Sequence, residues 1–223
     1  MATEVLKLVN LSFAYEKDKE IFSNINFSLF EGEILGILGP SGTGKSSLLR
    51  LITGLEKPFE GEIYYFGKEI SGKNKFVLPH KRGIGLVLQE KVLFPHLNSL
   101  ENVKFGIKGP EKKREKKALF FLKLLKAEKL SESFPNSLSG GEQQRVAIAR
   151  TLAPEPKLIL LDEPFSSLDK DLRAELREET KELFKKTNTT CIIVTHDQED
   201  VDIFCDKVVE LENGKIKNLS FGS

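Results

Sequence analysis

Three short segments carry almost nothing but apolar residues: Ile34-Leu35-Gly36-Ile37-Leu38, Leu158-Ile159-Leu160-Leu161 and Cys191-Ile192-Ile193-Val194. Such runs suit strands of a parallel sheet covered by other elements on both faces. Each is followed by turn residues and then a helical pattern, the order of a doubly wound α/β sheet. A different pattern, Asn24-Ile25-Asn26-Phe27-Ser28-Leu29, alternates polar and apolar positions and predicts a strand covered on one face only. With Glu62-Ile63-Tyr64-Tyr65-Phe66 and the turn at Asn213-Gly214, it is expected to build an antiparallel patch beside the main sheet.

Between Glu90 and Asn136 the strand runs stop, and Ser99 to Ile107 and Glu111 to Lys129 read as helices. No Gly/Ser-rich or Pro-rich linker isolates this stretch. The expected organisation is one domain, 1–223, with a core from residues 1–89 and 154–223 and a helical subdomain over 90–153. The helix from Glu111 carries many lysines around an apolar stripe of Leu119, Leu122 and Leu125. It reads as a solvated face, with contact to anionic lipid or a membrane partner as the sharper alternative.

Composition narrows the class. Apolar residues make up 39% and charged residues 30% of 223 positions, enough for a sizeable core under a solvated surface. Basic and acidic residues nearly cancel, 34 against 33, so the phosphate-neutralising excess of a nucleic-acid-binding domain is missing. Cys191 and Cys205 have no metal-ligand spacing and read as small buried apolar residues in a reducing compartment. The N-terminus lacks a signal-peptide run, and no stretch approaches the roughly 20 apolar residues that span a bilayer. A soluble, cytoplasmic protein is expected.

The chemistry begins at Gly39-Pro40-Ser41-Gly42-Thr43-Gly44-Lys45-Ser46-Ser47, which lies between a buried strand and a helix. Its Gly39, Gly44, Lys45 and Ser46 satisfy G-x-x-x-x-G-K-[ST]. In such a loop backbone N–H groups surround phosphate oxygens and the helix adds its positive end. Lys45 is expected to reach the β- and γ-phosphates and Ser46 to coordinate Mg²⁺. Asp162 and Glu163 end the Leu158 run, where doubly wound sheets place their ligands. Two carboxylates there need a cation. Leu138 to Arg150, LSGGEQQRVAIAR, is a second exposed helix start with small residues.

With that segment in place the chain resembles the ATP-binding subunits of ABC transporters over Leu8 to Ile216. The family's motifs occur in order: the phosphate loop, Gln89 ending a strand, Ser139-Gly140-Gly141, LILLDE, Ser166-Ser167-Leu168-Asp169, and Thr195-His196-Asp197. The resemblance implies an α/β fold of the P-loop NTPase type, with a mainly parallel sheet, a flanking antiparallel patch and an inserted helical subdomain. It also implies ATP hydrolysis with Mg²⁺. Asp162 then holds the metal through water, Glu163 is the general base, and His196 contacts the γ-phosphate while holding the water and Glu163. Gln89 touches metal and water and leads into the helical insertion. Tyr15 matches the adenine-stacking position, with Phe13 a near alternative. Two subunits, identical or different, pack head to tail, so that Ser139, Gly140 and Gly141 of one face the γ-phosphate on Lys45 of the other; Asp169 lies at the same junction.

Transmembrane permease subunits, a solute-binding protein and a peripheral position on the cytoplasmic face of the cell membrane are implied as well, with no nucleic acid. LFPHLNSLENV, after Gln89, resembles importers. Many importers continue past this domain whereas the sequence stops at Ser223, so regulation by a C-terminal region is not expected. The alternative is a soluble ABC ATPase acting on nucleic acid or ribosomes. Such proteins usually carry an inserted coiled coil or a second ATPase domain, and neither is expected here.

Overall fold

A computed structural model describes residues 2–16, 19–90, 93–166 and 168–221. Its elements run β1 (Glu4–Glu16), β2 (Lys19–Phe30), β3 (Ile34–Leu38), α1 (Lys45–Thr53), β4 (Glu60–Tyr65), β5 (Lys68–Ser71), α2 (Pro79–Arg82) and β6 (Gly85–Val87). They continue with α3 (Ser99–Lys104), α4 (Glu111–Leu124), α5 (Gly140–Leu152), β7 (Ile159–Asp162), α6 (Lys170–Thr187), β8 (Cys191–Thr195), α7 (Gln198–Phe204), β9 (Lys207–Glu212) and β10 (Lys215–Phe221).

The apolar runs become the centre of a six-stranded sheet ordered β10-β9-β3-β8-β7-β6, parallel except for the β9–β10 hairpin. Successive residues of its central strands enter two different cores. Leu35, Ile37, Leu158, Leu160, Ile192 and Val194 join residues of α1 and the second sheet, whereas Ile34, Ile159, Leu161, Cys191 and Ile193 join residues of α3 to α7. Each buried side chain of this size stabilises the fold by about 1.5–3 kcal/mol. A strand with a core on both sides has no position left for a polar residue, hence its unbroken apolar sequence.

The second sheet, ordered β2-β1-β4-β5, is antiparallel. Along β2 the buried Ile25, Phe27 and Leu29 alternate with more exposed residues, as the pattern predicts. The Asn213-Gly214 turn departs from expectation. Its hairpin extends the six-stranded sheet, because Val208, Val209 and Leu211 are buried and β9 pairs in parallel with β3.

The helical stretch is shorter than the pattern suggests. The first helix stops at Lys104, before Gly106 and Gly109 (φ +120°). The second stops at Leu124, because Lys126 takes φ +52° and Ala127 N donates back to Leu122 O at 2.8 Å. On α4, Lys112, Lys113, Lys116 and Lys123 are exposed, while Ala118, Phe121 and Leu122 are buried. Lys117 pairs with Glu155 at 2.7 Å. Cys191 and Cys205 are free and buried, and burial pushes both thiols up. Among the described residues no helix is long and apolar enough to cross a membrane.

Candidate active site

Four neighbouring parallel strands, β3, β8, β7 and β6, direct their carboxyl ends to one edge of the sheet. There β3 leads into the Gly39–Ser47 loop, β7 ends in Asp162, β8 ends at Thr195 before His196, and β6 leads to Gln89. The topology thus assembles residues from four separate stretches of sequence.

Gly44 takes φ +94° as it opens α1, a conformation that costs an L side chain, and a Cβ there would lie 2.4 Å from Ile21. No side chain caps α1, so its first N–H groups point from the loop without a side-chain acceptor. Lys45 is buried and its ammonium donates to two loop carbonyls, Gly39 O at 2.7 Å and Pro40 O at 2.9 Å. Thr43 Oγ1 also donates to Pro40 O. Burial holds the Lys45 ammonium below the usual lysine range, against the opposing pull of Glu163 and Asp162.

Ser46 Oγ donates to Asp162 Oδ1 at 2.9 Å. Burial raises the Asp162 carboxyl above the usual range; the Ser46 hydrogen bond opposes this and the neighbouring Glu163 adds to it. A buried carboxylate beside a hydroxyl is a hard-oxygen donor set that fits Mg²⁺. Among the described residues, no group of three or more His, Cys, Asp or Glu side chains gathers to hold a metal.

Glu163 adopts φ +44°, rare for a residue with a side chain. Its Oε1 lies 3.1 Å from His196 Nδ1, and its Oε2 accepts from Gln89 Nε2 at 3.3 Å. Lys45, Ser46, Asp162, Glu163, Gln89 and His196 therefore form one cluster. Tyr15 lies beside it: its hydroxyl is 3.1 Å from Ser47 Oγ and its ring packs edge-on against Phe13. Tyr15 is 55% exposed and Phe13 3%, so of the two aromatics Phe13 belongs to the core.

The remaining predicted residues bond elsewhere. Ser139 caps α5 in a reciprocal box, its Oγ accepting from Glu142 N and its own N–H donating to Glu142 Oε2. Gly141 meets Leu172 so closely that a Cβ would lie 2.3 Å from its Cδ2, and Leu172 N donates to Asp169 Oδ1 at the start of α6. Gly141 thus has a packing reason for lacking a side chain, which the sequence alone does not reveal. Ser139, Gly140, Gly141 and Asp169 form a second group on α5 and α6, bonded locally and not to the Lys45 cluster. Ser167 lies outside the described residues.

Sequence reasoning missed several supporting residues. Asn102 is fully buried; its Oδ1 accepts from Phe94 N, and its Nδ2 donates to the carbonyls of Phe94, Leu97 and Asn98. It fixes the segment that follows Gln89 onto α3. Buried Arg177 donates to buried Asp200, which also accepts from Thr195 Oγ1 at 2.6 Å. Charged residues inside a charged helix give no sequence signal for such burial.

A family model for ABC transporters matches residues 22–166. The chain is 42% identical over 215 residues to an Fe(3+) ions import ATP-binding protein of Haemophilus influenzae, covering 95% of this chain and 60% of that protein. It is 44% identical over 200 residues to a probable sulfate/thiosulfate import ATP-binding protein of Chlorella vulgaris, covering 88% and 83%. Its fold matches the ATP-binding cassette MJ0796, solved as a dimer in a post-hydrolysis state with ADP and Pi, at a TM-score of 0.86 and 36% identity, covering 97% and 98%. The chain belongs to the ABC transporter family. It spans about three-fifths of the length of the iron-import relative.

Proposed function

We propose that this chain is the ATP-hydrolysing subunit of an ABC importer and works as a head-to-tail pair of copies. One observation carries the reading. Glu163 is held between Gln89 and His196 at the strand edge where Lys45 and the Ser46–Asp162 pair also lie. This combines an anion site, a site for a hard cation and a positioned base.

In this reading the Gly39–Ser47 loop and Lys45 bind the triphosphate, and Tyr15 stacks on adenine. Ser46, Asp162 and Gln89 hold Mg²⁺, which supplies charge neutralisation at the phosphate oxygens when bound. Glu163 accepts a proton from water as the water oxygen bonds to the γ-phosphorus and the β–γ bridging bond breaks, leaving ADP and phosphate. His196 and Gln89 fix the two carboxylate oxygens for that transfer. Ser139, Gly140 and Gly141, with Asp169 nearby, face the γ-phosphate held by the partner copy. ATP thus closes the pair and phosphate loss reopens it, a switch that requires ATP to favour the closed state over ADP.

Residues 1–89 and 154–223 serve as the catalytic core and 90–153 as the helical unit that meets permease subunits at the cytoplasmic face of the membrane. A solute-binding protein completes the system. Relatives of nearly equal identity are named for ferric ions and for sulfate or thiosulfate, so the solute is set by the partners. Near-zero net charge disfavours a soluble ATPase acting on nucleic acid. The test is Mg²⁺-dependent phosphate release by the purified chain and by Glu163→Gln. Release by the parent, lowered at least about a hundredfold in the variant, is expected; equal release by both refutes the assignment of the base.

A further inference from the structure

A guanidinium outside the predicted site closes a ring around Glu163. Arg173, on the first turn of α6, donates from Nη1 to Asp197 Oδ2 at 3.1 Å. Its Nη2 donates to Leu168 O at 2.9 Å and to Ser166 O at 3.3 Å. Ser166 itself donates from Oγ to Glu163 O at 3.0 Å and from its N–H to the same carbonyl at 3.3 Å. Asp197 directly follows His196, whose Nδ1 lies 3.1 Å from Glu163 Oε1. The path therefore runs from Glu163 through Ser166, Arg173, Asp197 and His196 back to Glu163. Among the described residues no other side chain bonds both the turn after Glu163 and the segment after β8.

The neighbouring Arg177 pairs chiefly with Asp200, and its Nη2 also lies 3.6 Å from Asp197 Oδ2, the oxygen that Arg173 binds. Arg177 and Asp200 are 1% and 2% exposed and bind α6 to α7. Arg173 and Asp197 are 28% and 25% exposed, and Arg173 joins two loops on either side of the reacting carboxylate. A guanidinium suits this task because its planar fork holds several acceptors in a fixed geometry, which an ammonium cannot reproduce.

We propose that Arg173 is a positioning residue for hydrolysis: it sets the carbonyls of Ser166 and Leu168 and the His196–Asp197 segment against each other so that His196 and Glu163 stay in register. The inference rests on the proposed role of Glu163 as base. Removing Arg173 leaves the Gly39–Ser47 loop untouched, so ATP capture persists while the chemical step slows.

The experiment measures steady-state ATP hydrolysis, normalised to ATP-binding sites titrated with a fluorescent nucleotide, for the parent, Arg173→Ala, Arg173→Lys, Asp197→Asn and Arg173→Ala/Asp197→Asn. Normalisation removes any effect of partial unfolding. Arg173→Ala is expected to lower kcat per site about 10- to 100-fold, the scale of a sub-ångström to ångström misplacement, with KM within about twofold. Arg173→Lys, which keeps the charge and the fold but not the fork, should recover only part of the loss. In the Asp197→Asn background the Arg173→Ala effect should shrink, since one end of the link is already weakened. Turnover per site within twofold of the parent for both Arg173 variants, or strict additivity with Asp197→Asn, overturns the inference. A parent that binds but does not hydrolyse ATP overturns the proposed function instead.

Discussion

Replacing Arg177 by Met tests the packing that underlies the site. Met keeps much of the side-chain volume and removes the charge, so Asp200, 2% exposed, would retain the Thr195 hydroxyl as its remaining hydrogen-bond partner. Loss of one member of a buried pair costs about 3–5 kcal/mol, because the other charge stays desolvated. Arg177 also reaches Glu199, 67% exposed, and lies 3.6 Å from Asp197, 25% exposed; these more solvated contacts add less than the buried one. Against a total stability of roughly 5–15 kcal/mol, such a loss is large. At about 2–4 °C per kcal/mol for a chain of this size it lowers Tm by roughly 6–20 °C. Urea titration and thermal melts of the nucleotide-free protein measure it. A companion variant, Arg177→Met/Asp200→Asn, separates unpaired charge from lost packing and should regain most of the deficit. A single variant within about 1 kcal/mol of the parent, or a double variant no better than the single, would mean that the Asp200 charge is not left uncompensated.

Further outcomes concern the site itself. Lys45→Ala should weaken ATP binding at least about a hundredfold, the loss of a charge-assisted contact to phosphate worth about 3 kcal/mol; fluorescent-nucleotide titration reads this, and retained affinity would mean that the loop holds phosphate without the lysine. Asp162→Asn should melt higher than the parent at pH 7 without ligand. Burial puts the Asp162 pKa above its unfolded value, so the penalty is absent below the unfolded pKa, grows as pH rises towards the folded pKa and is complete above it. Asn avoids it, so the gap should close as the pH falls through the carboxylate range, and equal melting at pH 7 contradicts the point. Asn102→Ala strands the Phe94 N–H and three carbonyls that its side chain satisfies, and should cost about 1–3 kcal/mol. Hydrogen exchange should show faster exchange in residues 93–98; unchanged protection there would contradict the linkage to Gln89.

Much of the architecture was legible because it follows from burial. A strand between two cores must be apolar along its covered length, and β3, Ile159–Leu161 of β7 and Cys191–Val194 of β8 advertise this. The phosphate loop was legible because its glycines and lysine sit at fixed spacing between such a strand and a helix. Sheet membership of β9 and β10 was not, since a hairpin with a turn at Asn213-Gly214 fits either sheet and only the parallel pairing of Val208 and Val209 beside β3 decides. The helix end at Leu124 depends on a backbone reversal at Lys126, and a lysine with positive φ has no signature. The ring through Arg173 was also hidden. In KDLRAELREETKELFKKT every turn carries charges, and periodicity cannot tell an arginine that holds two loops from one that faces water.

In the proposed function each ATP is enclosed by two copies, with Lys45 from one and Ser139 from the other. Light scattering with saturating Mg²⁺-ATP tests it most directly, using Glu163→Gln to prevent turnover and Glu163→Gln/Ser139→Arg to block the second group. The first variant is expected to form a dimer and the second to stay a monomer that binds ATP as tightly as the isolated parent. A first variant that stays monomeric with ATP bound, or a Ser139→Arg change that removes ATP binding from the monomer, would contradict it.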